Sequence, residues 1–220
     1  MSLEVATDHA GFAEEGALRA LGAGDRELAA TLMLKAYGHE VSRFLAAIHR
    51  DPDDAAEVFA EFAAALWTAV PSFEGRSSIR TWMYAIARRT SLRHRRDARR
   101  RRQRFEALPD ASSSYLAIEA ELRTATLSFL RTERRSKLAA IRESLSVEDQ
   151  MLLMLRVDRK LPWNDLAIVL TERTEGRAAP VSEETLKRVS ARLRKRYQVL
   201  KDRIREIGRR EGLLPSSDEP

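Results

Sequence analysis

Ile79-Arg80-Thr81-Trp82-Met83-Tyr84-Ala85-Ile86-Ala87-Arg88-Arg89 is the stretch that decides the fold class. Ile79, Trp82, Met83 and Ile86 recur at the three-and-four spacing that gathers apolar side chains into one stripe of an α-helix. Ser77 or Ser78 stands at its start, where a hydroxyl can accept the free backbone N–H groups of a first turn. The opposite face is basic, and the basicity grows downstream. From Arg88 to Arg104 the chain holds ten arginines against one acid, Asp97. Such an extension cannot bury itself and takes solvent or an anion as its partner. The competing reading is a disordered cationic tail that binds any nucleic acid. Continuity with a patterned helix argues instead for charges held on a defined side. Trp82 lies in the apolar stripe and reads as core ahead of a base-stacking platform, and Phe73 and Trp67 are read with the same caution.

Working outward, the same periodicity predicts helices on both sides. Leu28, Leu32, Tyr37, Val41, Phe44, Leu45 and Ile48 mark one from Asp25 to about His49. Asp51-Pro52-Asp53 stops it and caps the next, from Asp54 to Trp67, whose apolar positions are Val58, Phe59, Phe62 and Leu66. Gly11, Gly16, Gly22 and Gly24 predict no long helix before Asp25. Downstream, residues 105–114 read as a linker, with a further helix from Tyr115 to about Arg131. A second helical unit starts near Lys137, with Ser146 as an N-cap, Met151 to Leu155 as a buried segment and Pro162 opening a short helix through Leu170. A long helix starts at Ser182, with apolar Leu186, Val189, Leu193, Tyr197, Leu200 and Ile204. The expected fold is all-α. Two small helical domains, at residues 1–98 and 137–212, are joined by a basic linker, 99–136, and a disordered tail closes the chain at 213–220.

The formal charge of +6 suits a polyanionic partner or an anionic membrane surface. There is no cysteine, which excludes disulfides and thiolate metal sites and leaves the cytoplasm as the expected compartment. No run of apolar residues is long enough for a membrane span, and no signal pattern opens the chain, so neither insertion nor secretion is expected. His9, His39, His49 and His94 show no metal spacing, and there is no P-loop pattern. Asp51, Asp53, Asp54, Glu57 and Glu61 form an acidic cluster that can be imagined holding Mg²⁺ for phosphodiester chemistry. The competing reading is helix N-terminal acids followed by an exposed face for a protein partner. No catalytic residue, metal site or cofactor is predicted.

The short helix followed by a long one with basic residues near its start outlines a helix-turn-helix, against the alternative of a solvated basic face. Two strings then resemble a known family. Asp53-Asp54-Ala55-Ala56-Glu57-Val58-Phe59-Ala60-Glu61-Phe62 with Leu66-Trp67, and Phe73-Glu74-Gly75-Arg76-Ser77-Ser78-Ile79-Arg80-Thr81-Trp82-Met83-Tyr84 with Ile86-Ala87-Arg88, look like bacterial sigma factors of the extracytoplasmic-function group. The resemblance runs from about Leu21 to Arg96 and resumes from Leu138 through the last long helix. It departs at Arg89 and Arg93, where the family commonly has Asn and Asp, in the segment Thr171 to Val181, and in the long basic linker.

The resemblance implies a protein without chemistry of its own, whose first domain serves polymerase and the minus-ten element. Asp54, Glu57, Phe59, Glu61 and Phe62 would contact the clamp helices of the largest subunit of core RNA polymerase. Arg76, Ser77, Ser78, Arg80, Thr81, Arg88, Arg89, Arg93, Arg95 and Arg96 would bind and open the minus-ten element of promoter DNA. Ser182, Glu184, Thr185, Lys187, Arg188 and Arg192 would read the minus-thirty-five element. An anti-sigma factor is an expected partner. The alternatives are a stand-alone helix-turn-helix regulator, which has no need of the Asp53–Trp67 helix, and a metal-dependent nucleic-acid enzyme built on the acidic cluster.

Overall fold

Asp25 opens the first of the strongly patterned helices by accepting the backbone N–H of Leu28 at 3.0 Å, directly after Gly24 turns the chain at φ +76°. In the computed structural model, which describes residues 2–105, 141, 144–171 and 182–213, every regular element among those residues is helical, as expected. The predicted helix at Tyr115–Arg131, the segment 172–181 and the tail from 214 lie outside the described residues, as does most of the linker.

The chain begins with a long helix, α1 (Ser2–Gly22), where the glycines predicted none. An interior glycine costs a helix only about 1 kcal/mol relative to alanine. Tertiary contacts offset that here. Ala17 and Ala20 are buried, Tyr37 donates a hydrogen bond to Glu14, and a Cβ at Gly16 would sit 3.1 Å from Leu32 Cδ1, so the glycine lets α1 lie close to its neighbour. That neighbour, α2 (Arg26–His49), ends at Arg50 with φ 59°. Asp51 then accepts from the N–H groups of Asp53 and Asp54 at 2.9 and 3.0 Å, and Pro52 fills the first turn of α3 (Pro52–Ala69), where its missing N–H costs nothing.

A 3₁₀ turn (Val70–Ser72) and a loop turning at Gly75 (φ +68°) lead to α4 (Ile79–Phe105). Ser78 is its capping residue, accepting the N–H of Thr81 at 3.1 Å. The helix passes residue 98, where the first domain was expected to end, and carries the arginine run through to Phe105.

Ser146 caps α5 (Val147–Leu153), which widens into a π turn (Met154–Asp158) and reverses at Lys160, φ 55°. Two further helices, α6 (Trp163–Leu170) and α7 (Glu183–Arg210), follow. α7 opens at Ser182, which accepts from Thr185 N at 3.2 Å. Buried Ser190 donates to Trp163 O at 3.1 Å and locks α7 onto the start of α6.

α2 packs on α1, α3 and α4, whereas α6 packs on both α7 and α4. The buried apolar residues therefore form one continuous cluster, running from Met33, Phe44, Phe62 and Met83 to Leu155, Leu166 and Val189. Each such side chain, fully buried, contributes about 1.5–3 kcal/mol. Phe44 meets Tyr84 edge-on at 5.3 Å near the centre of the N-terminal helices.

Candidate polymerase and nucleic-acid faces

On α3 the i, i+3, i+7 spacing sets Asp54, Glu57 and Glu61 along one side. Asp54 and Glu57 are exposed and Glu61 is half-buried. Phe59 is half-buried, with its ring 5.7 Å from that of Phe62. Phe62 itself is 0% exposed, and its side chain is spent on the core. Trp67, read from sequence with the caution due a core residue, is 51% exposed at the far end of the same helix. Helical spacing identifies a face but not what lies opposite it, so neither fate was visible beforehand.

Under this acidic side α4 inserts His94. Its Nδ1 lies 3.1 Å from Glu61 Oε1 and its Nε2 points toward Asp54 Oδ1 at 3.9 Å. Nearby, His49 Nε2 is 2.8 Å from Ser91 Oγ, and the two imidazoles lie 5.5 Å apart, nearly perpendicular. Donor atoms of Asp54, Glu57 and His94 all fall within 4.8 Å of one another. No sequence spacing announced this group, because Glu61 and His94 are 33 residues apart.

Burial, then the charges of His94 and Arg95, push the His49 imidazole down to about 4 from an ordinary 6.5. A ring neutral when folded but ready to take a proton when unfolded contributes stability that is complete above about pH 6.5 and is lost as pH falls toward 4. NMR titration should accordingly find the His49 ring neutral at about pH 5.5. A midpoint near 6.5 would contradict this placement.

Along α4 the basic residues divide. Arg89, Arg93, Arg95 and Arg96 are exposed, as are Arg99, Arg100 and Arg101 further on. Arg93 approaches Glu61 at 3.5 Å, and Arg95 reaches back to Ile48 O at 3.4 Å. Arg88, by contrast, is 5% exposed and Thr81 1%. Thr81 Oγ1 donates to Asp165 Oδ2 at 3.0 Å, a bond that ties α4 to α6.

Arg80 is half-buried and forked onto Glu40, its Nε lying 3.1 and 3.2 Å from the two carboxylate oxygens, while its Nη2 donates both to Glu40 and to Arg159 O. Tyr84 Oη donates to the same carboxylate at 2.9 Å. Burial alone would raise the Glu40 carboxyl. The Arg80 guanidinium, the Tyr84 hydroxyl and Arg159 outweigh it and hold the group below its ordinary range. Burial raises Tyr84, reinforced by the Glu40 charge. Glu40 carried no signal in the sequence, sitting mid-helix and 40 residues from Arg80.

The loop before α4 exposes Arg76 and Ser78 and half-exposes Ser77, with Arg76 ion-paired to Glu74. Phe73 and the half-buried Trp82 meet edge-on at 5.0 Å and anchor the loop to the helix.

Residues 33–101 match the family model of sigma-70 region 2. Over those residues the chain is similar to sigma-70 region 2. No curated protein matches the chain. The matched segment takes in most of α2, all of α3, the 73–78 loop and α4 as far as Arg101. Both the acidic side and the exposed arginines thus fall inside it.

Beyond the matched residues, the start of α7 presents Ser182, Glu184, Lys187, Arg188 and Arg192 to solvent, with Thr185 half-buried. Ser182 and Thr185 bond one another at 2.8 Å in the cap, and Lys187 pairs with Glu183 at 2.8 Å. Trp163 on α6 is flanked by Arg156 and Arg194 at 4.8 and 5.7 Å and meets Tyr197 at 5.6 Å. These contacts hold the two helices in a fixed relation. No helix among the described residues is long and apolar enough to cross a membrane.

Proposed function

We propose that this chain is an alternative sigma factor of the extracytoplasmic-function group, acting in the cytoplasm and held in check by an anti-sigma factor. The observation that carries the reading is the region 2 match over residues 33–101, within which an acidic helix side and an exposed arginine face stand on adjacent helices. Asp54, Glu57 and Glu61, with Phe59 beside them, dock on the clamp helices of the polymerase largest subunit. The loop at Arg76, Ser77 and Ser78, with Arg89, Arg93, Arg95 and Arg96 of α4, engages the minus-ten element. Arginines supply phosphate contacts that position the protein, and the loop supplies the pocket that offsets the few kcal/mol lost when a base unstacks. The first turns of α7 read the minus-thirty-five element.

Arg80, Thr81 and Arg88 are engaged within the protein, so in this arrangement the DNA contacts fall to their exposed neighbours. Docking is tested with Glu57→Lys, which reverses an exposed charge without touching the core. Co-elution with sigma-free core polymerase should weaken at least tenfold, as a like charge at a complementary face costs several kcal/mol. Wild-type co-elution of a folded variant would contradict the docking side.

A further inference from the structure

His94 is 3% exposed, and its Nε2 has no hydrogen-bond partner. The other ring nitrogen has its partner. Nδ1 faces the Glu61 carboxylate at 3.1 Å, and an ionised carboxylate only accepts, so Nδ1 carries the proton. Nε2, the ring nitrogen left for another partner, faces Asp54 Oδ1, 3.9 Å away. That gap is too long for a hydrogen bond, and it is a span that a cation bound to both atoms would bridge. Glu57, one turn along α3 from Asp54, brings a second carboxylate to the same point, and the three donor atoms lie within 4.8 Å of one another.

We propose that Asp54, Glu57 and His94 form a binding site for a divalent transition-metal ion, Zn²⁺ foremost. Metal–nitrogen and metal–oxygen bonds of about 2.0–2.2 Å place neighbouring ligands roughly 3.4 Å apart at a tetrahedral centre. Small rotations of the exposed Asp54 and Glu57 side chains close the observed gaps to that value. An imidazole in the set selects zinc or its first-row neighbours over Mg²⁺ and Ca²⁺, which prefer all-oxygen shells. Glu61 does not ligate. It is the positioning residue, holding the His94 ring and its tautomer as a carboxylate holds a metal-binding histidine elsewhere. The ion would clasp the first turn of α3 to the middle of α4.

The site shares Asp54 and Glu57 with the proposed docking side, but its test uses the chain alone, so its failure is distinguishable from failure of the sigma-factor reading. Untagged full-length protein is titrated with ZnCl₂ by calorimetry and with Co²⁺ by visible absorption. The expected result is one equivalent bound and a Tm raised by about 5 °C or more at a hundredfold excess over Kd. Asp54→Asn with Glu57→Gln, both exposed and outside the core, should lower affinity at least tenfold and abolish the Co²⁺ bands while leaving the metal-free circular dichroism unchanged. Glu61→Gln should cost about tenfold through the His94 tautomer. Failure of the wild type to take up either ion, or wild-type affinity in the double variant, would overturn the site. The double variant carries the test because His94 variants, altered inside the fold, can lose structure for unrelated reasons.

Discussion

Phe62→Ala should lower the stability of this protein by about 3–5 kcal/mol, the cost of emptying a fully buried phenylalanine site. Phe62 lies at 0% exposure in the same cluster as Val58, Leu66, Phe44 and Met83, and its ring touches Phe59. The surrounding helices can close only part of the void, since each is held by its own caps and neighbours. Both lost burial and residual cavity therefore count. Urea unfolding followed by circular dichroism measures the change directly. The polymerase affinity of the fraction that remains folded should change little. A nearly unchanged unfolding midpoint with greatly weakened polymerase binding would instead return Phe62 to the docking face implied by the family resemblance.

Glu40→Ala should cost about 2–3 kcal/mol, less than the loss expected on breaking a fully buried ion pair because both partners keep some exposure. One carboxylate accepts from Arg80 and Tyr84, and Arg159 Nε stands 4.0 Å away. Its removal leaves a half-buried guanidinium and a buried hydroxyl without their acceptor. Because the native fold holds Glu40 below its ordinary pKa, its contribution is complete at neutral pH. It is lost as acidification carries the pH below the unfolded value and through the folded one. The wild-type advantage over Glu40→Ala should accordingly shrink at low pH. A double-mutant cycle with Arg80→Ala should show strong coupling, the double variant losing much less than the sum of the singles. Additive losses would mean that the fork contributes nothing as a pair.

What was legible in the sequence was local. The capping residues Asp25, Asp51, Ser78, Ser146 and Ser182 each lie where a helix begins, because a cap is a contact between residues two or three apart. The all-α class followed from periodicities that the structure repeats in α2, α3, α4 and α7. The glycines of α1 misled because their local cost is small beside the packing of Ala17 and Ala20 on α2. What sequence could not supply was the pairing of distant residues. Glu40 with Arg80, Glu61 with His94 and Thr81 with Asp165, the last 84 residues apart, meet only because α2, α3 and α6 each pack against α4. The same crossings turn Arg88 inward on a helix that reads as uniformly basic, while Arg89 beside it stays outside.

If the proposed function holds, residues 33–101 direct core polymerase to promoters, and in vitro transcription tests this most directly. The protein is added to sigma-free core RNA polymerase with a library of promoter fragments, and the transcripts are sequenced. The expected result is a set of defined start sites sharing two spaced upstream motifs, absent when core polymerase is used alone. Failure to form a complex with core polymerase, together with no transcripts above the core-only background, would contradict the proposed function.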